Sequence, residues 1–364
     1  MLLRLSSLTF LILLCCSTLA SERSDYKIEV ISEGLDFPWS VAFLPDSSLL
    51  VTELGGNLRK IDSNQTLSEP LEGVPAVYRA GQGGLFDVAP HPNFKENNFI
   101  YLSYASGDEH ANSTTISKAT LVQNVLTNAK EIYRASPSKY AALHYGGRLA
   151  WLPDNTLLLT TGDGFDFREK AQDRGTHFGK TIRIDENGKA PPDNPFVDYP
   201  YVWTYGHRNP QGLAVSASGD VYQHEHGPRG GDEINMLKAG LNYGWPAITY
   251  GIDYNGAHVS PFTELAGMVQ PVHIWVPSIA PSGLAIYEAD LFPGWRGSLF
   301  VGDLNNKEVK RLSTDEDGSI ISEESIFTEI DARVRDIRVA PTGELFIVTD
   351  GEAGKILKVV PINR

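Results

Sequence analysis

An apolar stretch, a turn containing Pro, Asp, Asn or Gly, and a second apolar stretch recur six times along this chain, and that recurrence limits the fold more than any other feature. The copies are VAFLPDSSLLVTE from Val41, VAPHPNFKENNFIYLSYA from Val88, LAWLPDNTLLLTTGD from Leu149, LAVSASGDVYQHEHG from Leu213, LAIYEADLFPGWRGSLFVGDL from Leu284 and IRVAPTGELFIVTDG from Ile337. Their starts lie 47, 61, 64, 71 and 53 residues apart. Several are followed by a further short apolar stretch, such as NLRKID at Asn57, KTIRID at Lys180, EVKRL at Glu308 and KILKVV at Lys355. Strand-rich units at this period predict an all-β fold, a six-bladed β-propeller. Residues 26–31 read as an extra strand that closes the ring by pairing with the last blade, which removes a sheet edge. A β-sandwich would not produce six related hairpins. The uneven spacings place extra residues in loops on one face, where the site is expected.

The first twenty residues are read apart from this fold. Arg4 precedes an apolar stretch from Leu8 to Cys16, and Ser17-Thr18-Leu19-Ala20 offers small residues before Ser21. The apolar run is short for a membrane span, so residues 1–20 are read as a cleaved export signal. Residues 21–364 then form one propeller domain, exported to the periplasm and without a membrane span. Both cysteines, Cys15 and Cys16, fall in the signal. A mature chain without cysteine has no disulfide, thiol nucleophile, zinc–thiolate site or iron–sulfur cluster. Loss of Arg4 leaves 30 basic and 45 acidic side chains, a net charge of −15. Such a chain repels phosphate backbones, which argues against nucleic-acid partners.

Polar residues gather where the repeats break. His144 opens HYGGR before the third hairpin and Asp163 ends it in TTGDG. A His and an Asp at the two ends of one hairpin can lie side by side, the carboxylate fixing the imidazole tautomer and raising its basicity. Arg208 and Asn209 lie in YGHRNPQG, and Gln82 in GQGG. Arginine there can polarise a carbonyl or pair with a carboxylate, and the glycines permit close backbone approach to a ligand. In HEHGPRGGDE (224–233), His224 and His226 share one face of a strand and would suit zinc or copper, whereas Glu225, Asp232, Glu233 and the loop carbonyls would suit calcium. A plain acidic turn is an equal reading of these residues.

The ordered series GQGGLFDVAPHPNF, HYGGRLAWLPDNTLLLTTGD, YGHRNPQGLA, EHGPRGGDEIN, NYGWP and ARVRDIRVAPTGELFIVTD resembles the glucose/sorbosone dehydrogenase family, and within it the periplasmic aldose sugar dehydrogenases. The resemblance spans about residues 28–360 and implies a six-bladed propeller. It also implies oxidation of aldose sugars at C1 to lactones, with pyrroloquinoline quinone (PQQ) and calcium as cofactors and electrons passed to an external acceptor. By matching motif, His144 takes the place of the general base and Asp163 of its supporting carboxylate. Gln82, Arg208 and Asn209 match quinone contacts, with Arg208 also catalytic, and Tyr254 in GIDYNG matches a tyrosine facing the cofactor. Gly227 and Pro228 match the carbonyls that hold the catalytic calcium, and Glu233 and Tyr243 match ligands of a structural calcium. Arg333 and Arg335 match a pair on the cofactor's carboxylates. His224 and His226 then become structural. One departure concerns SLFVGDLNNKEVKRL, where Asn305 stands at the position of a lysine in many relatives and Lys307 follows two residues later. Either Lys307 reaches the cofactor, or the two arginines serve alone. The expected assembly is a monomer or weak dimer. Two other function classes fit a propeller with this composition: a calcium-dependent hydrolase such as a lactonase, and a non-catalytic binder of glycans.

Overall fold

The computed structural model describes residues 25–315 and 317–362. The proposed export signal, with Cys15 and Cys16, lies outside the described residues. The strands form six antiparallel sheets, five built from consecutive strands and one joining the two ends of the chain, arranged as the blades of a propeller.

Blade 1 comprises Pro38–Phe43, Leu49–Glu53 and Leu58–Ile61. Blade 2 comprises Leu85–Pro90, Phe99–Gly107, Asn112–Val122 and Val125–Arg134. Blade 3 comprises Leu149–Trp151, Leu157–Thr161, Lys180–Ile184 and Val202–Tyr205, and blade 4 Pro210–Val215, Val221–Glu225, Asp232–Leu237 and His273–Trp275. Blade 5 comprises Pro281–Ile286, Leu299–Asp303, Glu308–Thr314 and Ile320–Ile326. Blade 6 comprises Val334–Val339, Leu345–Thr349 and Gly354–Pro361, completed by Tyr26–Leu35 from the other end of the chain. All six repeats found in the sequence fall on the first two strands of a blade. The early strand does close the ring: Ile28 pairs with Val359 and Val30 with Leu357.

The second strand is buried along its whole length in five blades, for instance Leu49–Glu53, Leu157–Thr161 and Leu345–Thr349. A strand packed on both faces by neighbouring blades has no solvent side, so it shows no polar–apolar alternation; most begin with an apolar run, whereas Val221–Glu225 buries Gln223, His224 and Glu225. Successive blades share cores; Leu50 and Leu58 of blade 1 pack with Leu85, Val88, Ile100 and Leu102 of blade 2. The fourth strand of blade 5 is different. Ile320–Ile326 (IISEESI) is exposed along most of its length, and such an edge carries no apolar pattern by which the sequence could reveal it.

The first strands of successive blades neighbour one another around the axis. A buried ion network lies among them. Arg148 pairs with Asp336 (2.9 Å), and Arg338 pairs with both Asp336 (2.9 Å) and Asp87 (3.0 Å). Arg148 also donates to the carbonyls of Gln211 (2.7 Å) and Arg335 (3.1 Å) and lies 3.9 Å from the centre of the Trp39 ring. Charges this deep are tolerated only when paired and hydrogen-bonded.

Candidate active site

In each blade the first strand starts where the second one ends, as the pairs Pro38–Glu53, Pro210–Glu225, Pro281–Asp303 and Val334–Thr349 show. These ends share one face of the ring. Their residues line a bowl of about 370 Å³: Phe37, Trp39, Phe86 and Tyr145 give it aromatic walls, and Gln82, Asn209, Arg333, Arg335 and Asp350 give it polar ones. A second cleft of about 280 Å³ is lined by His144, Asp163, Phe165, Arg208, Pro228, Trp245 and Tyr254, among others. The chain alternates between the two hollows: His144 lines one and Tyr145 the other, and so do Arg208 and Asn209.

His144 and Asp163 are in contact, Nδ1 to Oδ1 at 2.7 Å. Asp163 is itself fixed by Trp245 Nε1, which donates to Oδ2 (2.8 Å), and by the Phe165 amide, which donates to Oδ1 (2.8 Å). With Nδ1 engaged, Nε2 is the nitrogen left to accept a proton. Asp163 raises the basicity of the imidazole, as expected of the carboxylate, but it is not the largest influence. Burial is the largest influence and holds His144 below its ordinary 6.5; the Asp163 hydrogen bond raises it, and Arg208 and Lys139 lower it further. The result is an imidazole that is neutral at pH 7 and able to act as a base.

Arg208 donates to the carbonyls of Gly227 (2.8 Å) and His226 (3.1 Å) and, at 3.4 Å, to the Tyr254 hydroxyl. Its backbone amide donates to Glu225, whose other oxygen accepts from His207 Nδ1 at 2.8 Å. Asn209 Oδ1 accepts from the Gly146 amide (3.3 Å), and Gln82 Oε1 accepts from the His144 amide (2.7 Å). Arg333 and Arg335 converge on Asp350, each at 3.0 Å. Burial opposes ionisation of Asp350, but Arg335 and then Arg333 outweigh it and hold the carboxyl below its ordinary range. One carboxylate against two guanidinium groups leaves the bowl net cationic.

Two sequence candidates point elsewhere. Lys307 pairs with the exposed Asp331 (3.3 Å) and is not among the bowl's lining residues. Asn305 donates to the Ser278 carbonyl (3.3 Å), and its amide bonds Asp303 Oδ1 (2.9 Å). His224 and His226 each bond a backbone carbonyl of the blade 5 first strand and its start, Gly283 and Pro281, both at 2.8 Å. Burial pushes them down to about 3 and about 4, so they are neutral donors that tie two blades together.

Among the described residues no three His, Cys, Asp or Glu side chains form a group able to hold a metal. Calcium at Gly227 and Pro228 would therefore rest on backbone carbonyls, which are hard oxygen donors. Those of His226 and Gly227 already gather the Arg208 guanidinium, so this turn attracts positive charge. Glu233 is pushed up to about 8, by burial first and then by Glu225 and Asp232. A carboxyl in that position gains from a nearby cation. The Tyr243 hydroxyl donates to the Met236 carbonyl (2.9 Å) and accepts from the Lys238 amide (2.8 Å), leaving its main chain as the part available to a metal.

The glucose/sorbosone dehydrogenase profile matches residues 35–358. The chain belongs to that family. It is 39% identical to the aldose sugar dehydrogenase YliI of Escherichia coli K12, over 97% of this chain and 98% of the relative. The crystal structure of the soluble aldose sugar dehydrogenase from Escherichia coli, in its apo form, superposes with a TM-score of 0.89 at 39% identity, covering 92% of this chain and 99% of that one. The PQQ-bound aldose sugar dehydrogenase from Streptomyces coelicolor gives a TM-score of 0.77 at 27% identity, covering 93% and 98%. The fold is thus the propeller of these sugar dehydrogenases, and the chain is an oxidoreductase of their kind.

Sequence reasoning missed the aromatic walls of the bowl, and it also missed Asp350, Trp245 and Lys139. Asp350 ends a quoted motif, and a signal for it exists: second strands end in or are followed by an acid in several blades, as at Glu53, Glu225, Asp303 and Asp350. Trp245 sits inside NYGWP beside Tyr243, with nothing to mark its indole as the partner of Asp163. Lys139 carries no motif at all.

Proposed function

We propose that this protein oxidises aldose sugars at C1 to lactones with PQQ and calcium, and passes the electrons to an external acceptor. The observation that carries this reading is the buried His144–Asp163 pair placed beside a bowl with aromatic walls and a cationic rim. A flat aromatic ligand bearing several carboxylates suits that bowl, because Phe37, Trp39, Phe86 and Tyr145 offer apolar surface and Arg333 and Arg335 offer forked donors. When bound, PQQ supplies the quinone that accepts hydride from the sugar, and calcium polarises it as a Lewis acid.

The geometry supports the following part for the chain's own residues. His144 Nε2 takes the proton of the C1 hydroxyl. Asp163 fixes the tautomer and stabilises the imidazolium that results. Arg208 lines the cleft beside His144 and stabilises negative charge as it develops. Arg333 and Arg335 hold carboxylates, with Asp350 keeping both side chains in place. Gln82, Asn209 and Tyr254 would contact the same ligand, and the carbonyls of Gly227 and Pro228 would hold the catalytic calcium, with Glu233 and Tyr243 at a structural one. Lys307 would have to leave Asp331 to take part.

A metal-dependent lactonase would need converging carboxylates with an open water position. Asp232 is instead occupied by the amides of Gly227 (2.8 Å), Ile279 and Ala280 (2.9 Å each) and by the Ser278 hydroxyl (2.5 Å). A glycan binder would not need His144 buried against Asp163. The test is reconstitution: the purified chain is mixed with PQQ and calcium, and dye reduction is followed with a panel of aldoses. Reduction that requires both additions supports the reading. Lactone cleavage without PQQ, or sugar binding without dye reduction, would replace it.

A further inference from the structure

His144 adopts φ = 50°, the left-handed region that a non-glycine residue occupies only when its surroundings hold it there. The means of holding it are visible in the peptide that leads into it. The amide of His144 donates to Gln82 Oε1 at 2.7 Å. The carbonyl of the same peptide, that of Leu143, accepts from Lys139 Nζ at 2.8 Å. This peptide is therefore gripped at both ends by side chains from different parts of the chain.

Lys139 is built for that grip. It is 4% exposed, and its Nζ also donates to the Ala141 carbonyl and to Asn112 Oδ1 (3.2 Å). The ammonium lies 3.5 Å from the centre of the Tyr145 ring, so the residue after His144 is in contact as well. Its backbone is pinned to Asn112 in both directions, amide to carbonyl, at 2.9 and 2.8 Å. Asn112 begins the third strand of blade 2 and is fully buried. A rigid strand thus fixes the lysine, the lysine fixes the carbonyl before His144, and only then does Nδ1 meet Asp163.

We propose that Lys139 is a positioning residue for the base: it clamps the 143–144 peptide against Gln82 and so holds His144 in the left-handed turn that directs its imidazole to Asp163 and into the cleft. This rests on the reading of His144 as the base. A lysine buried merely to support the fold would behave like Lys180. That residue is 0% exposed and donates to the carbonyls of Lys170 and Ala171 (3.0 Å each) and Phe178, but touches no part of the 143–144 peptide.

The experiment compares Lys139→Met with Lys180→Met by two readouts. The first is the downfield proton NMR signal of the His144 Nδ1–H bonded to Asp163, assigned by its loss in His144→Gln and measured without cofactor. The second is turnover of the protein loaded with PQQ and calcium. Lys139→Met is expected to broaden or lose the signal and to lower kcat by about a hundredfold, the usual effect of misplacing a reacting group by about 1 Å, with little change in aldose KM. Lys180→Met is expected to lower thermal stability and keep the signal. A folded Lys139→Met with signal and kcat intact overturns the proposal, as does equal loss of the signal in Lys180→Met or its absence from the unmodified protein. Should Lys139→Met not fold, Gln82→Met decides the matter, because that side chain is exposed and releases the other end of the peptide; a retained signal there overturns the clamp. If the unmodified protein does not oxidise aldoses, the function proposed above fails, while the NMR comparison still tests the clamp.

Discussion

At the scale of single residues, the proposed function assigns the chemistry to one hollow and the holding of the cofactor to the other. His144→Ala is expected to lower kcat by about 10²–10⁴-fold, the usual contribution of a positioned acid–base group, with PQQ affinity nearly unchanged. Stopped-flow turnover at saturating cofactor, alongside a PQQ titration, measures both. Because burial holds His144 below 6.5, the neutral, base-competent imidazole is lost as pH falls through that lowered value. The acid limb of the kcat/KM profile is therefore expected below 6.5 and absent from His144→Ala; a limb lying above that value would contradict the assignment. The arginines divide in the same way. A charge-assisted hydrogen bond contributes about 1.5–3 kcal/mol, so Arg333→Ala or Arg335→Ala should weaken PQQ binding about ten- to a hundredfold and recover activity with excess PQQ. Arg208→Ala should stay slow at saturation, because Arg208 lines the cleft that holds the base. Turnover against PQQ concentration at fixed calcium tests all three, and the reverse pattern would show the roles exchanged.

At the scale of elements, the site joins strand ends, such as those before Asp163 and Asp350, to the long connections that carry Gln82, His144, Trp245 and Tyr254, and this makes it sensitive to backbone approach. Gly162 follows the second strand of blade 3. A Cβ there would lie 2.2 Å from the His144 carbonyl oxygen and 2.5 Å from its carbon, far inside van der Waals contact and against backbone that cannot swing away. Gly162→Ala is expected to cost about 1–3 kcal/mol and also to lower kcat by moving the base. Thermal unfolding and turnover of the same sample check the two effects together; a loss of stability with full turnover would mean that the strand end, not the His144 turn, had given way. The sequence did mark this strand end, through TTGDG, yet it could not show which atom the glycine makes room for.

At the scale of the whole molecule, ring closure and the central ion network hold the six strand ends in register. The strand Tyr26–Leu35 pairs with Gly354–Pro361, and the Tyr26 ring meets Phe327 edge-on at 4.9 Å. Deleting residues 25–35 would bare the outer edge of blade 6 and leave the ring without its covering strand. The expected result is a less stable chain with a broader, lower-temperature melting transition by circular dichroism and a tendency to associate. An unchanged, cooperative melt would show that the contacts between blades 6 and 1 suffice without it.

The sequence by itself determined the repeat, hence the number of blades, the position of every first and second strand, and the closing strand. It could do so because inner strands are buried on both faces and begin with apolar runs that do not alternate, as Leu49–Val51 and Leu345–Val348 show. It also brought His144 and Asp163 together, since the two ends of one hairpin are neighbours whatever surrounds them. Only the tertiary structure decided the rest. Trp245 meets Asp163 because the long connection 238–272 of blade 4 reaches the end of blade 3, whereas Asp350 meets Arg333 and Arg335 at the two ends of one hairpin, as His144 meets Asp163. Burial, which depends on the neighbouring blades, outweighs the rise in basicity that Asp163 gives His144. Lys139 acquired a role through contacts with one peptide and one strand that no local spacing encodes, because a hydrogen bond from a buried ammonium to a carbonyl leaves no pattern in the order of the residues.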